Sequence, residues 1–287
     1  MKELRTPLVA TMLTLVLLFT PFACDKAAEK PLLKVAFLDI GQGDSIYIEA
    51  PNGNQMIIDG GPSGNLAGPL SQVMPFGDRS VNVIMVTNPD SDHYAGYLDI
   101  LKSGYNIGAV IEPGTHTPTP THAAFEKEIA DKNIPEIRAW KGMTIDIDKE
   151  DGVTFTVLFP DRDVSTWTTN DGSIEGILSY GTTRVMFTGD GSKRTESIIL
   201  ADNPASALKA DILKAAHHGS ATASSDEFVA AVDPKYAIIS SEKGNRYGLP
   251  KQVTLDTFAR HNIETLRTDA LGTIVFTSDG ATFTEQK

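Results

Sequence analysis

Apolar residues along the chain fall into two kinds of run. Short stretches rich in Val, Ile, Leu and Phe, closed by Gly, Pro, Asn or Asp, read as strands. They are expected at residues 33–40, 45–49, 55–59, 81–87, 109–112 and 136–139, and again at 153–159, 174–180, 184–188, 212–215, 236–240, 264–267 and 272–277. Stretches with apolar spacings of three and four read as helices over 94–102, 121–132, 193–200, 225–232 and 250–261. The turn Pro51-Asn52-Gly53-Asn54 folds one strand back on the next, an antiparallel start. Val81 to Thr87 is almost continuously apolar, as a strand buried on both faces would be. Two β-then-α halves in succession predict an α/β (α+β) fold in which two sheets pack together and helices cover the outer faces, an αββα sandwich. No repeat and no linker interrupts residues 32–287, so they read as one domain.

The N-terminus follows another pattern. A short basic start (Lys2, Arg5) leads into a mostly apolar run from Leu8 to Phe19, with Ala23 before Cys24. Residues 1–24 read as a secretory signal. They resemble a bacterial lipoprotein signal, which implies lipidation at Cys24 and an extracytoplasmic, membrane-anchored protein; a secreted or periplasmic form is the alternative. Residues 25–31 are polar and read as a tether. Beyond them no run approaches the roughly 18 apolar residues of a spanning helix. Cys24 is the one cysteine, which excludes an intrachain disulfide. The net charge of −12 counts against a dedicated nucleic-acid binder. It counts less against a metal-dependent enzyme, because bound cations invert the local charge.

The candidate chemistry gathers at strand ends. Thr87-Asn88-Pro89-Asp90-Ser91-Asp92-His93 places two carboxylates and an imidazole within four residues, just after a buried strand. Such donors suit Zn, Mn or Fe, and an ordinary polar turn has the same composition. Thr188-Gly189-Asp190 and Ala216-His217-His218-Gly219-Ser220 close two further strands. Three polar clusters, each at a strand end, fit one site built across a sheet edge. In Asp39-Ile40-Gly41-Gln42-Gly43-Asp44 the glycines permit a tight turn, and Asp44 is placed to buttress a ligand; Asp59 is another strand-end acid.

Taken in order, D-I-G-Q-G-D-S, I-I-D-G-G, T-N-P-D-S-D-H-Y-A-G, T-G-D, H-H-G-S and N-R-Y-G resemble the metallo-β-lactamase-fold domain of the competence protein ComEC family across residues 33–279. The resemblance implies a metal-dependent phosphodiesterase or nuclease with one or two Zn or Mn ions, acting on DNA or another phosphodiester. It matches the soluble domain of that family and not its multi-span channel region. By the motif matches, Asp92, His93 and His218 bind one metal, Asp190 bridges, and Asp90 serves the other metal. His217 lies beside them as ligand or substrate contact, so Asp92, Asp190 and His217 are the catalytic candidates. Asn170 matches the family's Asn-x-x-Ser pattern and is expected at the metal pocket, while Lys243, Asn245, Arg246 and Tyr247 form a small basic, polar loop that either holds a phosphate of the substrate or is simply solvated. This chain departs at Asn88, where the family has His and an amide oxygen is the weaker ligand, and at Leu249 and Lys251, where both histidines of a Tyr-Gly-His-Pro-His stretch are replaced. Those departures keep open a non-catalytic extracytoplasmic binding protein; a metallohydrolase of another ester or amide is the third reading. His116 and His122, in and beside a Pro- and Thr-rich loop, are either surface residues or replacement ligands. No protein partner can be inferred.

Overall fold

The expected strands assemble into two mixed sheets in a computed structural model that describes residues 30–286. The signal over 1–24, lipidation at Cys24 and most of the tether lie outside those residues. The first sheet begins with β1 (Leu33–Phe37), β2 (Ile46–Glu49), β3 (Gln55–Ile58), β4 (Ser80–Met85), β5 (Asn106–Glu112) and β6 (Glu136–Arg138). The second holds β7 (Thr144–Asp148), β8 (Val153–Phe159), β9 (Glu175–Tyr180), β10 (Thr183–Phe187), β11 (Ile212–Lys214), β12 (Tyr236–Ile239) and β13 (Glu264–Arg267). The chain then returns to the first sheet with β14 (Ile274–Ser278) and β15 (Phe283–Gln286). Strand order is β15-β14-β1-β2-β3-β4-β5-β6 in one sheet and β13-β12-β11-β10-β9-β8-β7 in the other. In each sheet an antiparallel half passes into a parallel half, β3 to β6 and β10 to β13.

Three apolar layers account for the packing. Inward residues of both sheets, among them Val35, Phe37, Ile48, Phe155, Phe187 and Phe276, form the central layer. Helices α1 (Ala67–Val73), α2 (Ser91–Lys102) and α3 (Pro120–Asp131) cover the first sheet through Leu70, Tyr97 and Phe125. Helices α4 (Lys193–Asp202), α5 (Ala205–Leu208), α6 (Asp226–Val232) and α7 (Gln252–Arg260) cover the second through Ile199, Leu208, Phe228 and Phe258. A further short helix, α8 (Thr268–Leu271), follows β13. The four-layer αββα arrangement is therefore the expected one. In β8, alternate residues Val153, Phe155 and Val157 point into the central layer. A bulge at Val157/Phe159 then turns Phe159 to the outer layer.

Some element bounds differ from expectation. The first strand stops at Phe37, and residues 38–45 form a loop closed by a bond from the Leu38 N–H to the Ser45 carbonyl. Helix α2 starts at Ser91 rather than 94, with Asp90 as its extended N-cap. Asp92 and His93 consequently sit on a helical turn. Helix α1, which contains a glycine and a proline, and the alternating strand β7 were not foreseen, nor were β15 and the short α5 and α8. Gly96 lets α2 lie directly on the end of β3: a Cβ there would stand 2.1 Å from the Gly60 carbonyl oxygen. No helix among the described residues is long and apolar enough to cross a membrane.

Candidate metal centre

Parallel strands deliver their carboxyl ends to one edge of a sheet, the usual place for a site in such folds. Here β3 ends at Asp59, β4 leads to Asp90, Asp92 and His93, β10 to Asp190, and β11 to His217 and His218. His93 is completely buried. Its Nδ1 lies 2.8 Å from Asp59 Oδ2, and Asp59 also accepts the Thr87 N–H at 2.7 Å and the Thr87 hydroxyl at 2.5 Å. That network fixes the ring with Nε2 toward Asp190 Oδ2, 3.1 Å away. His218, also buried, has Nδ1 3.0 Å from the Ser240 carbonyl and 3.3 Å from Asp44 Oδ1. Its Nε2 faces Asp92 Oδ2 at 3.5 Å and Asp190 Oδ1 at 3.7 Å. Both imidazoles thus have Nδ1 held from behind by an acceptor and Nε2 free at the front, the arrangement metal-bound histidines use.

The donors fit a divalent cation on two counts. His93 Nε2, His218 Nε2 and Asp190 Oδ1 are buried without a hydrogen-bond partner, an expensive state unless something else satisfies them. Their spacings also match a first coordination shell, where tetrahedral ligands about 2.1 Å from an ion stand about 3.4 Å apart. The local backbone is bent to present them. His217 (φ 51, ψ 44) and His218 (φ 54, ψ 29) are consecutive non-glycine residues in the left-handed region. Such conformations cost on the order of 1–3 kcal/mol each and concentrate at functional sites.

Charge is arranged to match. Burial opposes ionisation of Asp190, but His93 and His218 outweigh it and hold the carboxyl far below its usual range. Burial opposes a charged His218, yet Asp190 and Asp44 push it up to about 10. His93 is raised likewise, burial again being overcome by Asp190 and Asp59. An ion binding there competes with those protons. Behind His218, Asp44 Oδ2 accepts the Lys214 ammonium at 2.6 Å, with both side chains buried. Burial would raise Asp44, but Lys214 and His218 bring it down to about 2. Lys214 was not foreseen from the sequence; its only signal was a charge at the end of an otherwise apolar strand.

The remaining candidates divide. A cleft of about 310 Å³ opens on the centre, lined by Asp90, Asp92, Asn170, Asp190, His217, His218, Tyr247, Leu249 and Lys251 among others. Partly exposed His217 has Nε2 3.9 Å from Asp190 Oδ2 and Nδ1 3.3 Å from the Thr222 hydroxyl. The Asp90 carboxylate accepts the Thr169 hydroxyl at 3.0 Å. The Asn88 amide oxygen accepts the Asp90 N–H at 3.0 Å, and its nitrogen donates to Asn170 Oδ1 at 2.7 Å. Asn245 turns its amide into its own loop, accepting from the Leu249 N–H and donating to the carbonyls of Leu249 and Glu242. His122 packs edge-on to Tyr94 and pairs with Glu126, and His116 lies beside it. Among the described residues, neither belongs to a group of converging ligand atoms.

Comparison with known proteins agrees with this geometry. Residues 38–241 match the model of the metallo-β-lactamase superfamily. The chain is 30% identical over 266 residues to ComE operon protein 3 of Bacillus subtilis, covering 85% of this chain and 33% of that one. It is 25% identical over 242 residues to competence protein ComA of Neisseria gonorrhoeae, covering 84% and 32%. It is 27% identical over 268 residues to recombination protein 2 of Haemophilus influenzae, covering 91% and 31%. The chain spans about a third of the length of these relatives. Among solved structures, the metallo-β-lactamase fold protein YhfI of Bacillus subtilis superposes with a TM-score of 0.57 at 10% identity, covering 86% of this chain and 100% of that one. A CmlA β-hydroxylase variant superposes with 0.51, also at 10% identity, over 82% and 52%. At such identities the fold alone is shared.

Proposed function

The chain belongs to the metallo-β-lactamase superfamily, and from that premise we propose that it is a metal-dependent phosphodiesterase. The observation that carries the proposal is the approach of His93 Nε2 and His218 Nε2 to the Asp190 carboxylate, with Asp92 against His218, beside a cleft that Asp92, Asp190 and His218 line. These four side chains would hold the ion, Zn or Mn by their chemistry. A divalent cation supplies Lewis acidity there: it makes a water easier to deprotonate and offsets charge gathering on a phosphoryl oxygen. Asp190, kept ionised by His93 and His218, would accept a hydrogen bond from the attacking water and so orient it for in-line attack. His217 reaches the cleft with Nε2 while Thr222 holds its other nitrogen, so it can pass a proton to the departing oxygen. Tyr247 and Asn170 line the space left for the flanking parts of the substrate. The preference for a phosphodiester, DNA included, rests on likeness to the competence proteins.

The test strips the protein of metal and restores Zn or Mn separately. Cleavage of bis(p-nitrophenyl) phosphate and of labelled single- and double-stranded DNA is then followed. Activity is expected only with metal. Asp190→Ala is expected to lower it by at least the ~10–100-fold that loss of an outer partner alone costs. Tight metal uptake without turnover would favour a non-catalytic binding protein instead, a reading supported by the apolar Leu249 in the cleft wall.

A further inference from the structure

Three features of the cleft bear on how many ions it takes. Among the described residues, ligand atoms converge in two groups, Asp92–His93–His218 and Asp44–His93–Asp190. His93 belongs to both, and among the described residues no group of three converging donors takes in Asp90 or His217. Of the donors that could serve a second place, the Asn88 amide is engaged at both its oxygen and its nitrogen, and the Asp90 carboxylate accepts the Thr169 hydroxyl at one of its oxygens. The wall also carries the hydrocarbon of Leu249 and the charge of Lys251, beside polar side chains that include His217 and Ser220.

Lys251 is a held charge. Its ammonium donates to the Tyr247 carbonyl at 2.6 Å, and its backbone N–H donates to the Gly219 carbonyl at 2.9 Å. The second bond ties it to the turn that carries His217 and His218. The packing is close: a Cβ on Gly219 would meet Pro250 Cβ at 2.6 Å. Asn245 braces the same loop through both backbone groups of Leu249.

We propose that the centre holds a single divalent ion, and that Lys251 supplies the second positive charge the cleft presents to a phosphoryl group. The role given to Lys251 rests on the phosphodiesterase reading; the ion count does not. A second dication beside Leu249 and an ammonium would meet hydrocarbon and like charge instead of donors. A lysine is a compact point charge well suited to phosphate oxygens, and the same repulsion that excludes a cation attracts an anion.

The experiment uses the full chain in detergent, loaded with Zn or Mn and freed of excess. Ions per chain are counted by plasma mass spectrometry, and inorganic phosphate is titrated in by calorimetry. One ion per chain is expected in the wild type and still one in Asp90→Ala. Two ions in the wild type, falling to one in Asp90→Ala, would overturn the single-ion assignment. In Lys251→Ala the ion count is expected to stay at one while phosphate affinity falls about tenfold or more, the loss expected for a charged hydrogen bond. Lys251→Arg should restore most of that affinity. Unchanged phosphate binding in Lys251→Ala would overturn the role of Lys251. Neither readout needs turnover, so a chain that cleaves no phosphodiester loses the functional reading while these results still decide the ion count and the Lys251 charge.

Discussion

Replacing Lys214 by methionine keeps the length of the side chain and removes its ammonium. Asp44 would then be a buried carboxylate with His218, whose Nδ1 lies 3.3 Å away, and His93 as its remaining cationic neighbours. Removing one partner of a buried ion pair costs about 3–5 kcal/mol, a large share of a typical 5–15 kcal/mol stability. Proton linkage expresses the same pairing as a dependence on pH. Asp44 is held at about 2, below its ordinary 3.8, which corresponds to about 2 kcal/mol at neutral pH. The folded value is depressed, so this contribution is fully present above pH 3.8 and fades as pH falls through about 2. The assay is urea unfolding in chelator, followed by circular dichroism between pH 7 and pH 2.5. Lys214→Met should lose about 3 kcal/mol or more at pH 7, and its gap from the wild type should narrow toward pH 2.5. Asp44→Asn with Lys214→Met should recover most of the loss, because the double variant leaves no unpaired charge. A single-variant loss below about 1 kcal/mol, or a double variant no better than the single, would refute the reasoning.

Three other outcomes are expected. Asp59→Asn weakens the acceptor that orients His93, so metal affinity measured by chelator competition should fall ~10–100-fold; an unaltered affinity would mean that Asp59 does not set the ring. Glu175 is wholly buried, and burial raises it well above 4.5 despite the Thr195 hydroxyl nearby. Its folded value exceeds its unfolded one, so its protonated form is compatible with full stability below pH 4.5 and stability is lost as pH climbs. Glu175→Gln should therefore match the wild type near pH 4 and melt higher at pH 8, since every tenfold rise in proton affinity on folding corresponds to about 1.4 kcal/mol. A variant that melts lower at pH 8 would contradict this. Finally, Cys24→Ser should release the protein from membranes after a salt wash if lipidation anchors it. Complete retention would assign the anchoring to something else.

Much of the centre could be read from the sequence because its donors sit where strands stop. Asp92, His93, Asp190 and His218 each follow a run whose apolar pattern is unmistakable, and the supporting place given to Asp44 depended on the same punctuation. Pairings across long separations were not legible. Lys214 meets Asp44 across 170 positions, and no local pattern announces a cation inside an apolar strand. The Thr87 bonds to Asp59 are hidden for the same reason. Asn88-Pro89-Asp90-Ser91 read as a turn when it is also a helix start, since the residues that favour turns also favour N-caps. Asn245 read as part of a loop that either holds a phosphate or is solvated, and its amide is used within that loop. The αββα layering followed from period-two and period-three-to-four runs, and α1 escaped because Gly68 and Pro69 interrupt its pattern.

The four ligands come from both sides of the central layer. Asp92 and His93 ride on the helix that follows a strand of the first sheet, while Asp190 and His218 follow strands of the second. An ion held by all four would be a clasp across the seam. At a concentration a hundredfold above its dissociation constant it adds about 2.7 kcal/mol to the folded state. Stripped of it, the two halves lose a fastening at the very edge where water enters. Scarcity of metal would thus act twice on this protein, silencing the chemistry at once and then shortening its life among proteases, so that its abundance as well as its activity tracks the metal supply around it.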